Sequence, residues 1–231
     1  MKKAFKISLY FLLLFWALPI IFRVILFFFE MKLKTEYEIF SFIVTLMSLA
    51  SWAMGVIIKR KNEEMKENFV SFLIPVSFIN LIFCFIDRGL SISTGITLFS
   101  FVLCIALGFD FGNLMASVIL SGISGVIAIP IGGILLLSSF FSGFSENTIV
   151  KTLESPNSIY RAEVINSDQG ALGGSTFVDV YKNESFDFLL FEISKKPVRI
   201  YSGDFAEGET MSIYWKDDNH LVIKSFVYPI K

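Results

Sequence analysis

The chain has 231 residues, a net charge of −1, 54% hydrophobic residues and a mean hydropathy of +0.67, values that exclude an ordinary soluble globular protein. From Ser142 onward thirteen acids face nine bases, a net of −4, which argues against a nucleic-acid partner and against adhesion of that half to anionic lipid.

The apolar residues come in blocks. Crossing roughly 30 Å of hydrocarbon takes about 20 mostly apolar residues in a helix. Five blocks meet that length, at 7–29, 39–58, 69–86, 92–108 and 114–141. Only Phe109 to Asn113, "FDFGN", separates the last two, so a four-span count is the alternative. Ile92 to Phe141 is too long for one helix, however, and Asp110, Gly112 and Asn113 supply a polar turn. The N-terminal "MKKAFK" followed by an apolar run has the outline of a signal peptide, but no small-x-small cleavage site follows, which predicts an uncleaved span.

Basic residues stay preferentially in the cytoplasm. With the N-terminus inside, cytoplasmic segments carry Lys2, Lys3, Lys6, Lys59, Arg60, Lys61 and Lys66, against Lys32, Lys34 and Arg88 outside. Five spans then place the C-terminal part outside. Cys84 and Cys104 both fall in spans, and the segment after Phe141 has no cysteine, so it has no disulfide framework.

After Phe141 the blocks give way to alternation, the pattern of half-buried strands. "SIYRAEVI" sets Tyr160, Ala162 and Val164 against Arg161 and Glu163, and "STFVDVY" sets Thr176, Val178 and Val180 against Phe177, Asp179 and Tyr181. "SFDFLLFEIS" and "VRIYSG" read as two further strands. In "MSIYWKDDNHLVIKSF", Met211, Ile213 and Trp215 share a face, turn formers occupy Asp217 to His220, and Leu221 and Ile223 resume it, which predicts a hairpin. The expected architecture is an α-helical membrane domain at 1–141 and a linker at 142–152, followed by a small antiparallel β-sheet domain of five to seven strands at 153–231.

"SPNSIYRAEVINSDQGALGGSTFVDVY" and the later "IYWKDDNHLVI" resemble the C-terminal module of uncharacterised bacterial multi-pass membrane proteins. There a Ser-Pro-[Asp/Asn]-x-x-Tyr strand leads to an Asp-x-Gly-Ala loop and a Trp-x-x-Asp hairpin closes the module. The likeness spans residues 153–225 and implies no activity.

Several motifs invite chemistry. Gly122-Ile123-Ser124-Gly125 matches the Gly-x-Ser-Gly of intramembrane serine proteases, but the one histidine, His220, lies in the predicted hairpin and not in a span. Ser117, Ser121, Gly125, Ala128 and Gly132 recur near one helical face, where small residues let backbones approach, and this packing reading accounts for the same serines. Pro130 beside Gly132 and Gly133 is a candidate bend. Among intramembrane polar residues, Arg23 lies well inside a block, within reach of Asp87, and Asn80 is placed to bond a neighbouring helix or touch a substrate.

"NSDQGALGGST", 166–176, lacks the lysine of a phosphate loop and feeds a strand instead of a helix. Counted as an EF-hand from Asn166, position six is Ala171 and position twelve Phe177, so the regular calcium loop fails; an irregular site using Asp168 with Asp217 is left open. The leading reading is a strand-connecting turn in which Asp168, Gln169, Gly170, Gly173 and Gly174 form one edge of a partner-binding surface. Phe177, Tyr181 and Tyr214 are the candidate contact aromatics.

The expected function is that of a non-enzymatic, cell-membrane protein with its N-terminus inside, displaying an extracytoplasmic β domain. Its expected partners are the lipid bilayer and another membrane or envelope protein, with no cofactor and no metal. The alternative is a transporter or permease accessory subunit whose function lies in the helices, at Arg23 and Asn80.

Overall fold

The computed structural model describes residues 1–61, 65–142, 146–168, 170 and 173–230. Among the described residues five helices are long and apolar enough to cross a membrane: α1 (Lys2–Phe28), α2 (Tyr37–Arg60), α3 (Leu73–Arg88, extended by a 3-10 turn at Asn68–Phe72), α4 (Ile92–Phe111) and α5 (Leu114–Ser142). Between α1 and α2 lies a short strand, β1 (Met31–Thr35). After α5 come β2 (Glu146–Glu154), β3 (Tyr160–Asp168), β4 (Gly174–Lys182), β5 (Ser185–Phe188), β6 (Phe191–Lys195) and β7 (Val198–Asp204). A four-residue helix α6 (Glu207–Thr210) and the strands β8 (Ile213–Asp217), β9 (His220–Ile223) and β10 (Phe226–Pro229) complete the chain. This is a multi-pass helical membrane protein carrying small antiparallel sheets, the expected fold class.

The chain divides into two compact units. One comprises Met1–Phe28 and Leu33–Leu137 with Phe188–Phe191; the other comprises Ser138–Asp187 and Glu192–Lys231 with Phe29–Lys32.

In the helical unit many large apolar side chains face outward, and the interior mixes an apolar cluster with hydroxylated side chains such as Ser48, Ser77, Thr97 and Ser100, as expected where lipid, not water, surrounds the protein. The buried face of α2 runs Tyr37, Ser41, Val44, Ser48, Ser51, Gly55 and Ile58, a seven-residue repeat of alternating steps. It meets a buried face of α4 rich in Thr97, Ser100, Cys104 and Gly108, with Thr45 and Ser100 sharing a 2.5 Å hydrogen bond. Gly55 is required here, since a Cβ would run into the ring of Phe111. On α1 the buried face is Phe5, Leu9, Leu12 and Trp16, again stepping by four and three. The turn between α4 and α5 is tied down by Ser71, whose hydroxyl accepts the Asn113 N–H at 3.1 Å, and by Ser117, which donates to the Gly108 carbonyl at 2.8 Å. Beyond that joint α5 is little covered: 11% of its most apolar window is buried, against 22–44% for the other four spans.

The second unit is built on a four-stranded sheet of order β2-β3-β4-β7 and a three-stranded sheet of order β10-β9-β8; a further three-stranded sheet runs β1-β6-β5. Antiparallel pairing sets Val164 opposite Val178 and Ala162 opposite Val180. Those four, with Met211, Leu221 and Ile223, form the core between the first two sheets. The expected β8–β9 hairpin is present, with Trp215 opposite Leu221.

The expected linker at 142–152 is corrected. β2 begins at Glu146 and pairs with β3 along its length, through a bulge between Ile149 and Lys151. "ENTIVKTLE" is mostly polar, and its alternation is broken at that bulge, which hides the strand. Residues 143–145 of the expected linker lie outside the described residues.

Candidate functional site

The glycine-rich turn connects β3 to β4 as a hairpin. Asp168 closes it locally: its carboxylate accepts the Gly170 N–H at 2.7 Å, an Asx turn. Gly170 and Gly173 have φ of 60° and 92°, the left-handed region that favours glycine. Gly174 has no room for a side chain, because a Cβ would meet the Phe205 ring and the Ser167 carbonyl. Asn166 accepts the Thr176 hydroxyl at 2.8 Å and is 8% exposed. Gln169, Ala171 and Leu172 lie outside the described residues.

Asp168 and Asp217 cannot share a cation. Asp218 bonds Asn157 just before the Tyr160 end of β3, whereas Asp168 ends that nine-residue strand, about 26 Å further at ~3.3 Å per residue. Asp217 is itself engaged by the His220 ring nitrogen at 2.8 Å and the Asn219 N–H at 2.9 Å, and the His220 bond leads in holding its carboxyl below the usual range. Among the described residues no three metal-ligating side chains cluster.

The three aromatic candidates do not form one surface. Phe177 and Tyr181 project from the outer face of the four-stranded sheet, and both are covered by arginines. The Arg199 guanidinium lies 3.8 Å from the Phe177 ring centroid while donating to both oxygens of Asp179 at 2.8 and 3.0 Å, and Arg161 lies 5.1 Å from the Tyr181 ring. Burial, then the nearby Glu163 and Asp179, push the Tyr181 phenol above its ordinary range. Tyr214 sits on the outer face of the other sheet, across the core. There it is paired with Val222, which is paired in turn with Val227, so an apolar row crosses all three strands. Tyr214 and Val227 at its ends are 53% and 50% exposed.

In the helical unit, Asn80 is fully buried and donates to the Trp16 carbonyl of α1 at 2.6 Å and to the Val76 carbonyl at 3.0 Å. Arg23 binds the Asp87 carboxylate and donates to the Tyr37 hydroxyl at 3.1 Å, with its guanidinium 4.5 Å from the Phe83 ring. Both residues therefore join neighbouring helices. On α5, Ser117 is buried, Ser121 is partly buried, and Ala128 and Gly132 line a groove against Phe78, Leu81 and Leu98. Gly125 departs from the expected face: it is exposed with nothing within 4 Å, and Ser124 is buried instead. Steps of strictly four residues drift off a 3.6-residue helix, and the step from Ser121 to Ser124 restores the register. His220, the base an intramembrane serine protease would need, is committed to Asp217 in its own turn.

Sequence reading missed a cavity of about 320 Å³ at one end of the β-sheet core, lined by Tyr160, by Val180 and Lys182, by Lys195, Lys196, Val198 and Ile200, and by Pro229 and Ile230. Its only sequence signal is the Lys195-Lys196 pair after an apolar strand.

No protein-family model, no curated protein and no solved structure matches the chain. Fold and side-chain geometry define its class: a multi-pass helical membrane protein with a small antiparallel β unit.

Proposed function

We propose that the protein is a non-enzymatic membrane anchor that displays its β unit outside the cytoplasm to bind a partner in the cell envelope. The observation that carries this reading is the apolar row Tyr214, Val222 and Val227. Two half-exposed apolar side chains, Tyr214 and Val227, flanking the buried Val222 on a unit with a core of its own, are the kind of surface a partner covers.

Two arrangements support it. The side chains that could have carried catalysis or transport have structural partners: His220 with Asp217, Arg23 with Asp87 and Tyr37, Asn80 with Trp16. The excess of Lys and Arg in the first turns of α1 and from the last turn of α2 to the start of α3 favours a cytoplasmic N-terminus. Five spans then put β1 and everything after α5 on the outside.

Two measurements in intact cells test the reading. External protease should remove a C-terminal tag, and a photo-crosslinker at position 214 should capture an envelope protein that a crosslinker at the cytoplasmic Lys61 does not. A protected tag, or identical capture from both positions, would overturn the reading.

A further inference from the structure

We infer that the cavity at the end of the β-sheet core is a binding site for a small amphipathic anion, an apolar chain or ring bearing one carboxylate or phosphate. The inference shares with the proposed function only that the β unit binds, and it uses a different part of the surface.

The floor of the cavity is dictated by register. Val180 pairs with Val198, and Tyr160 pairs with Lys182. Alternation puts Tyr160, Val180 and Lys182 on the inner side of their sheet, the side that carries the core residues Ala162, Val164 and Val178. At this end the two sheets leave space unfilled: Val180 is 3% exposed, yet the cavity reaches it between Ile200 and the C-terminal Ile230. Tyr160 is held as a fixed wall by stacking on Trp215, with centroids 6.4 Å apart.

The rim has one sign. Lys182, Lys195 and Lys196 line the cavity and, among the described residues, no acid does, although acids outnumber bases thirteen to nine from Ser142 onward. Lys182 is bound to Glu184 at 2.7 Å. Lys195 is exposed and has no ion-pair partner among the described residues, so its ammonium is available to an incoming anion. An apolar floor beneath lysines rewards a ligand with both an apolar body and a negative end, and neither feature alone suffices.

Volume narrows the class. At about 30 Å³ per water-sized group, 320 Å³ holds on the order of ten non-hydrogen atoms. That suits a single short chain and is too small for a two-chain phospholipid.

Octanoate is the probe. The full chain, in nanodiscs of zwitterionic phospholipid, is dialysed to equilibrium against labelled octanoate, with empty discs subtracting partition into lipid. Saturable binding is expected, with octan-1-ol and acetate each at least about tenfold weaker, because each lacks one half of the recognition. Lys195→Glu and Val198→Trp, both at exposed positions, should each weaken binding by about tenfold or more while leaving the thermal midpoint unchanged. Discs containing anionic lipid separate the sources: undiminished octanoate binding assigns the pocket to a soluble single-chain anion, and competitive loss, which would seat a phospholipid headgroup on the lysines with its chains outside the cavity, overturns that assignment. The inference is overturned by no saturable binding above empty discs, by equal binding of octanoate and octan-1-ol, or by unchanged binding in both variants. Capture of a partner from position 214 is independent of every one of these outcomes, so either idea can fail alone.

Discussion

Asn157 and Asp218, 61 positions apart, meet through two hydrogen bonds: the Asn157 backbone N–H donates to one carboxylate oxygen at 2.8 Å and its side-chain amide donates to the other. The turn before β3 is thereby fastened to the turn of the β8–β9 hairpin. Three residues further along each segment's inner side, Tyr160 stacks on Trp215, whose indole N–H donates to the Leu153 carbonyl at 3.1 Å. The Ser-Pro-Asn-x-x-Tyr and Trp-x-x-Asp patterns are thus the two halves of one joint between the sheets. Ser155 belongs to it as well, its hydroxyl accepting the N–H groups of Ile159 and Tyr160 at 3.1 Å.

Asp218→Asn tests the joint through pH. The Asn157 N–H leads in holding the Asp218 carboxyl below its usual range. A carboxyl whose pKa is lower folded than unfolded adds stability above the unfolded value, about 3.9, and loses it as pH falls through the folded value. The variant should therefore melt below the parent at pH 7, and the gap should narrow on acidification to about pH 3. Tryptophan fluorescence melts of the full chain in nanodiscs would measure it; a gap that does not change with pH would show that the carboxylate charge is not what holds Asn157.

Trp215→Phe keeps an aromatic ring against Tyr160 and removes the indole donor, leaving the Leu153 carbonyl without that hydrogen bond. The expected cost is about 1 kcal/mol, the typical net worth of one intramolecular hydrogen bond. Urea unfolding followed by circular dichroism would check it.

What could be read from sequence depended on whether the signal was local. The spans were legible because apolar length is a property of one segment, and "FDFGN" was legible because a polar turn interrupts it. The β8–β9 hairpin was legible because both strands and their turn are contiguous. β2 was not, because "ENTIVKTLE" makes sense only beside β3. Nor was β1, where "MKLKT" alternates Leu33 and Thr35 inward but is only five residues long. The arginines over Phe177 and Tyr181 depend on cross-strand register: Asp179 opposes Arg199 only after a bulge in the β4–β7 pairing. The cavity was hidden for the same reason, since its wall is assembled from four separate segments.

The Arg23–Asp87 pair should behave as a matched unit. Their side chains are 20% and 27% exposed and their contact lies at an exposed position, so removing one leaves a partly solvated charge without its partner. Arg23→Leu alone is expected to destabilise by about 1 kcal/mol, and the double variant Arg23→Leu/Asp87→Leu by less, because it removes the unpaired carboxylate too. Thermal inactivation of the purified full chain, run as a double-mutant cycle, gives the coupling; strict additivity would mean that water reaches and solvates both groups.

The glycine turn can be divided into a structural part and a surface part. Gly174→Ala places a Cβ against the Ser167 carbonyl, a backbone atom that cannot move aside without breaking the β3–β4 ladder, and against the Phe205 ring. Overpacking of that kind costs about 1–3 kcal/mol. Asp168→Ala removes one hydrogen bond at an exposed tip and should cost under about 1 kcal/mol. The two variants therefore separate folding from recognition. If the turn is an edge of the partner surface, Asp168→Ala lowers crosslinking from position 214 at unchanged thermal midpoint, whereas Gly174→Ala lowers both together. Unchanged crosslinking in Asp168→Ala would confine the partner to the Tyr214 face, leaving the turn only its role of joining β3 to β4.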